Sequence, residues 1–333
     1  MEIPDPSVSR FAHGVVDGHS ADAVGDVLRS RCLYLDSFST RLTIALHRVQ
    51  NPVVVGLDPR VELLPQSMRP QSTDQYEVAR SYREFCQGVI DVVAPLVAAV
   101  KPQSAFFEQY GPAGCQALAD VIRYARDKGL LVIVDAKRND IGSTAAAYAQ
   151  AYLGGETSAW QADALTVSPY LGDDSLQPFV DTAVDSGCGV FVLVKTSNPG
   201  GQMLQDLVAD RQPVYRHVAD HVARLAEETA DESGYGAVGA VVGATYPDEL
   251  AELRSIMAHA WLLVPGYGSQ GGIAADIAVA FDAHGFGAII NSSRAIIFAH
   301  TRPEYDDQYG DRRWQAAVEA ATCDMIDEIH SVM

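Results

Sequence analysis

The chain has little that would tie it to a membrane, a metal or an oxidising compartment. No run approaches the roughly 20 apolar residues that a membrane-spanning helix needs. The start, MEIPDPSVSR, has no basic region followed by an apolar stretch, so no signal peptide is expected. The five cysteines, Cys32, Cys86, Cys115, Cys188 and Cys323, are odd in number, scattered and without CxxC spacing. They are expected to be reduced thiols of a cytoplasmic protein. The nine histidines form no HExxH pattern or cluster, so a zinc site has little support. Positive charge is scarce: 24 Lys and Arg stand against 43 Asp and Glu, a formal net charge of −19. Such a surface repels nucleic acid and anionic membranes. An anionic ligand would therefore need a locally positive pocket.

What is present is a repeated alternation. A length of 333 residues suffices for one large domain, since (β/α)8 barrels commonly run to about 250 residues as a single unit. Residues 1–36 are mostly polar and aperiodic and are expected to be an N-terminal extension, with residues 37–333 forming the domain. Phe38, Leu42, Ala45, Leu46 and Val49 recur at helical spacing. Short apolar runs then follow at 52–58, 96–101, 130–135, 164–168, 189–195, 237–242, 261–264 and 287–291. Between them lie stretches with helical periodicity at 78–93, 114–128, 143–153, 214–232, 247–259 and 273–284. Eight buried strands alternating with helices predict a parallel α/β architecture. The number eight favours a closed (β/α)8 TIM barrel over an open doubly wound sheet, which the pattern alone leaves possible. Nearly every strand ends in a polar or special residue: Asp58, Lys101, Asp135, Ser168, Lys195, Pro265, Asn291. In a barrel these ends converge on the face where active sites sit.

The most informative segment is Val132-Ile-Val-Asp-Ala-Lys-Arg-Asn-Asp-Ile-Gly-Ser-Thr144. Asp135 and Lys137 are two apart, so extended backbone aims both side chains at the same side. Lys101 ends the preceding strand and Asp140 lies three residues beyond Lys137. The expectation is an alternating set, Lys101, Asp135, Lys137, Asp140. A lysine held between two carboxylates is stabilised in its charged form, which suits a positioned proton donor better than a nucleophile. The alternative is a salt-bridge network that only closes the barrel. Buried charges are costly, which favours function.

Two further segments point to ligand contacts. Pro265-Gly-Tyr-Gly-Ser-Gln-Gly-Gly272 follows the seventh strand and Asn291-Ser-Ser-Arg294 the eighth, the places where this architecture usually binds phosphate. Glycines let backbone N–H groups approach the oxygens, and an arginine grips two of them. Pro265, Gln270, Gly271, Gly272, Ser293 and Arg294 are the candidate phosphate residues. Lys195-Thr-Ser-Asn-Pro-Gly200, after the fifth strand, offers hydroxyls and an amide to a heterocycle edge. An ordinary turn before proline explains it equally well.

Taken together, these segments resemble the orotidine 5′-monophosphate decarboxylase family, in its longer bacterial subtype, from about Phe38 to Phe298. Phe38-Ser-Thr-Arg-Leu42, Val55-Gly-Leu-Asp-Pro59, Lys101-Pro-Gln-Ser-Ala-Phe-Phe-Glu108 and Val242-Gly-Ala-Thr-Tyr-Pro247 carry the likeness. Asp135-Ala-Lys-Arg-Asn-Asp-Ile-Gly-Ser-Thr144 fits the family's DxKxxDI signature. The resemblance implies decarboxylation of orotidine monophosphate to UMP with neither metal nor cofactor. It implies that Asp58 bonds a ribose hydroxyl, that Lys101 binds ribose and orients Asp135, and that Asp135 lies against the substrate carboxylate. Lys137 would protonate the ring carbon, Ser197 would contact the pyrimidine, and Gln270 and Arg294 the phosphate. It implies a homodimer in which Asp140 and Thr144 reach into the neighbouring subunit's site. Asn139 stands where glycine is frequent in the motif and is expected to tolerate an unusual backbone angle. Two rivals remain: a sister barrel enzyme acting on a sugar phosphate with Mg2+, and a barrel that binds nucleotides without catalysis.

Overall fold

A helix, α1 (Phe38–Val49), precedes the first strand. The Ser37 side chain caps it by accepting from the Thr40 N–H. Eight strands follow: β1 (Val53–Leu57), β2 (Ala99–Pro102), β3 (Leu131–Arg138), β4 (Ala164–Val167), β5 (Gly189–Lys195), β6 (Val238–Val242), β7 (Leu262–Pro265) and β8 (Ala288–Ser292). Each pairs in parallel with its neighbours in chain order, and β8 pairs with β1, closing the barrel. The molecule is seen here as a computed structural model describing residues 36–267 and 274–333, so all of the N-terminal extension but Asp36 lies outside the described residues.

The alternation within each strand builds two cores. Val53, Val55, Val132, Val134, Val190, Val192, Val238 and Val242 face the surrounding helices. Val54, Ala99, Leu131, Ile133, Ala164, Phe191, Val241, Leu263 and Ile289 fill the barrel interior. Helix α1 plugs the lower end, with Phe38, Leu42 and Leu46 in that inner core. The Phe38 ring meets Phe191 edge-on at 5.8 Å. Parallel strands covered on both faces read as continuous apolar runs, which is why the sequence shows them as short blocks.

The long covering helices are α2 (Gln75–Val93), α3 (Gly111–Asp127), α4 (Gly142–Leu153), α5 (Asp173–Ser186), α6 (Val214–Glu228), α7 (Pro247–Ile256) and α8 (Trp314–His330). The eight expected strands are all present. Of these long helices, α5 and α8 were not anticipated. The helix expected over 273–284 is instead a short turn of helix, Ala274–Ile277, continued as a 3-10 turn to Ala280. Asp282 then bonds the N–H groups of His284 and Phe286 and turns the chain into β8.

Candidate active site

The period of two carries the interior alternation upward into the chemistry. Above Ala99 comes Lys101, above Ile133 comes Asp135, above Ala164 comes Thr166, and above Ile289 comes Asn291. These four, with Leu193, Val241 and Leu263, line a cavity of about 270 Å³ at the C-terminal end of the barrel. The rim adds Asp58, Gln103, Lys137, Thr196, Ser197, Asn198, Pro265, Ser293 and Arg294. A β-carbon on Gly56 would come within 1.9 Å of the Ser293 hydroxyl, so only glycine lets the loop after β8 cross above β1.

Asp135 is the hub. One carboxylate oxygen accepts from the Lys101 ammonium at 2.7 Å and the Gln103 amide at 3.0 Å. The other accepts from the Lys137 ammonium at 2.6 Å and the Thr166 hydroxyl at 2.9 Å. Thr166 in turn accepts from the Lys137 N–H at 3.0 Å. Four donors on two oxygens fix the carboxylate's position and its charge. The lysines differ in setting: the Lys101 side chain is 5% exposed, whereas that of Lys137 is 46% exposed. One is built into the wall and the other is presented to the cavity.

Lys137 reaches this place by a bulge. Its φ is +46°, and the β3–β4 register shifts between Val134 and Arg138. Simple extended alternation through 137 therefore does not hold, and the unusual backbone angle expected at Asn139 falls on Lys137 instead. A side chain in the left-handed region costs free energy and persists only where its surroundings hold it. Here the Thr166 hydroxyl and the Asp135 carboxylate do so.

Burial by itself would raise the Asp135 pKa. The charges of Lys101 and Lys137 and the hydrogen bonds from both outweigh it and hold the carboxyl well below the usual carboxylate range. Burial would likewise lower Lys101, but Asp135 and Asp58 raise it above its ordinary value. A depressed carboxyl pKa contributes stability above its unfolded value, which is lost only as pH falls through the folded value. A raised lysine pKa contributes stability at neutral pH, lost only as pH rises through it. Both groups thus stay charged across the neutral range.

Of the four charged residues expected together, three converge. Asp140 makes no ion pair with Lys137 among the described residues; its carboxylate accepts from the Ile141 N–H at 2.9 Å. Neither Asp140 nor Thr144 lines the cavity of its own chain, and Thr144 is exposed. Among the described residues, one carboxylate oxygen of Asp58 is buried without a hydrogen-bond partner, as is the side-chain oxygen of Asn291. Arg294 is exposed, with no hydrogen bond or ion pair among the described residues. Gln270, Gly271 and Gly272 lie outside the described residues. Gln103 and Thr166 were not singled out from sequence. Gln103 sits inside the Lys101–Glu108 motif, which was a usable signal; a threonine within a β-strand is ordinary, so Thr166 had none.

Fold and site together define a (β/α)8 barrel of the enzyme type, with a lysine–carboxylate–lysine centre at the C-terminal mouth. Residues 51–305 match the model of the Orotidine 5′-phosphate decarboxylase / HUMPS family, and the chain belongs to that family. It is 53% identical over 298 residues to an orotidine 5′-phosphate decarboxylase of Rhodopirellula baltica, covering 88% of this chain and 99% of the relative. The Deinococcus radiodurans enzyme of that name is 46% identical over 246 residues, covering 74% and 83%. The solved Leishmania donovani OMP decarboxylase superposes with a TM-score of 0.68 at 34% identity, covering 89% of this chain and 98% of that one. No helix among the described residues is long and apolar enough to cross a membrane.

Proposed function

We propose that the protein decarboxylates orotidine 5′-monophosphate to UMP and CO2 in de novo pyrimidine biosynthesis, without metal or cofactor. The observation that carries this reading is the Asp135 carboxylate held between two lysines, one of which, Lys137, is presented into the cavity. In this mechanism the bond between the ring carbon and the carboxylate breaks and its electron pair stays on that carbon. The ring offers no sink for the pair, so stabilisation must come from preorganised charge. The Lys137 ammonium lies where negative charge develops and gives its proton to the carbon. It is then neutral and regains a proton from solvent. Asp135 lies against the substrate carboxylate and repels it. The orphaned Asp58 oxygen accepts from a ribose hydroxyl, Lys101 binds ribose, and Ser197 meets the pyrimidine. Asp140 completes the alternating network from the partner subunit.

The phosphate binds at Arg294 with Ser293, Pro265 and the loop containing Gln270, Gly271 and Gly272. This locally positive end is how so acidic a protein holds an anion. Losing a charged hydrogen bond costs about 1.5–3 kcal/mol, so Arg294→Ala is expected to lower kcat/KM roughly 10- to 100-fold. Remote binding energy that supports turnover is lost from kcat when the substrate is truncated, so the phosphate-free nucleoside is expected to lose kcat as well. Unchanged kinetics of Arg294→Ala would remove the phosphate from this end of the cavity. Consumption of orotidine monophosphate by EDTA-treated protein tests the reading as a whole. Its failure, with activity on sugar phosphates restored by Mg2+, would favour the sister enzymes instead.

The active unit is a homodimer with shared sites. Asp140 and Thr144 lie outside their own chain's cavity, beside Ile141, which is 57% exposed. Tyr148, Tyr170, Leu171, Met203 and Val208 are exposed too, in the segments that follow β3, β4 and β5, where a self-complementary two-fold interface would lie. Lys137→Ala and Asp140→Ala proteins are each expected to be nearly inactive. Mixing them under exchange forms heterodimers with one intact site, and about a quarter of wild-type activity should return. No recovery from the mixture would place Asp140 outside the partner's site.

A further inference from the structure

Lys195 closes β5 and belongs to a segment whose first residue the proposed mechanism leaves unused. Strand alternation, which sends Phe191 and Leu193 inward, would aim Lys195 at the cavity as well. The β5–β6 register shifts between Leu193 and Lys195, and Lys195 is absent from the cavity lining. Its side chain is instead 2% exposed, paired with the Asp206 carboxylate. Its ammonium lies 4.8 Å from the Tyr215 ring centroid and 4.9 Å from that of Tyr246. Burying an ammonium costs several kcal/mol unless it is paired, and an apolar side chain would fill the same space without that cost. A charge kept here has a task that packing alone does not set.

The neighbouring residue repeats the connection. The Thr196 N–H donates to the Gln205 side-chain oxygen at 3.0 Å, and the Gln205 amide donates back to the Thr196 hydroxyl at 2.7 Å. Two consecutive residues at the strand end are thus clasped to two consecutive residues at the end of a short helix, Gln202–Gln205. Between the clasps runs the segment 197–204, which begins with Ser197 and Asn198 on the cavity wall. That wall is also fixed from behind, since a β-carbon on Gly243 would fall 2.9 Å from the Ser197 backbone. We propose that Lys195 and Asp206 are positioning residues that hold the Ser197–Asn198 wall against the heterocycle. The inference rests on the decarboxylase reading for what the wall touches, and on geometry alone for the clasp.

The test uses the full chain. Asp206→Ala leaves the Lys195 ammonium, only 2% exposed, without its counter-charge, so it is expected to melt below wild type; should it fail to fold, Asp206→Asn, which still accepts a hydrogen bond from Lys195, takes its place in the kinetics. Asp206→Ala is expected to lower kcat/KM for orotidine monophosphate at least about tenfold, the equivalent of one charged hydrogen bond. Asp206→Glu should restore most of it. If the clasp acts through the wall, the loss should shrink to about twofold or less when Ser197 is already alanine, because coupled residues are not additive. Limited proteolysis should cut within residues 198–206 faster in Asp206→Ala than in wild type. Full kcat/KM in Asp206→Ala, or the same fold loss in the Ser197→Ala background, would overturn the proposal. Inactive wild-type protein would overturn the decarboxylase reading instead. The cleavage rate then still decides the clasp, which fails if that rate is unchanged.

Discussion

Lys137→Ala is expected to abolish turnover while leaving the fold and nucleotide binding in place. A positioned proton donor contributes roughly 10²–10⁴ in rate, and a fixed charge at a developing anion about 10²–10³. Lys137 does both in the proposed reaction, so a fall on the order of 10⁴–10⁷ in kcat follows from the two roles combined. The side chain is 46% exposed and touches Asp135 from the open side, so its removal creates no internal cavity. Asp135 keeps Lys101, Gln103 and Thr166. The variant should therefore melt near wild type and still bind UMP, measured by calorimetry. A loss of less than about tenfold would mean that Lys137 delivers no proton in the slow step. Loss of UMP binding together with activity would mean that its part is in holding the ligand. Retained binding without turnover separates the enzyme from the non-catalytic barrel.

The second large effect is expected at Asp135, and its signature is a split between stability and activity. Asp135→Ala strips the Lys101 ammonium of its counter-charge while leaving it nearly sealed from water. Removing one partner of a buried pair typically costs about 3–5 kcal/mol, enough to lower the melting temperature by many degrees. Lys101→Met combined with Asp135→Leu removes both charges and fills the space with apolar atoms, which restores stability in comparable cases. The double variant is therefore expected to melt near or above wild type and to be inactive. Thermal melts and orotidine monophosphate turnover on the same three proteins decide the matter. If the double variant regains activity along with stability, the pair only closes the barrel. If Asp135→Ala is as stable as wild type, water reaches Lys101 far more freely than its 5% exposure allows.

The barrel was legible because its signals are local. Each strand is a short apolar block, and each loop begins at a polar residue such as Asp58 or Lys101. Helix α1 was legible from Phe38, Leu42 and Leu46, spaced four apart. Helices α5 and α8 were not. Helix α5 carries Pro178 inside it, and in α8 the buried face of Trp314, Val318, Met325 and Ile329 is diluted by the small residues Ala317, Ala321 and Thr322. In both, packing against the rest of the molecule overrides a weak pattern. The helix expected after β7 failed for a related reason. Its apolar residues are spaced helically, but Asp282 bonds the backbone ahead of β8 and stops the helix short.

By itself the sequence determined which chemistry the molecule holds and at which end. Lysines and aspartates follow apolar runs, and the two-residue period of a strand places each at the mouth once the strand is granted. Only the tertiary structure decided which of them meet. Closure of the barrel brought Gln103 and Thr166 to Asp135, from strands and loops whose register no spacing in the chain specifies. A bulge put Lys137 into a left-handed conformation facing the cavity, and a register shift took Lys195 out of it. Asp140, three residues from Lys137, was left outside its own chain's cavity. The physical reason is one of range. Alternation is set by the backbone over two residues, whereas bulges, register and contact across strands are set by the free energy of packing the whole barrel.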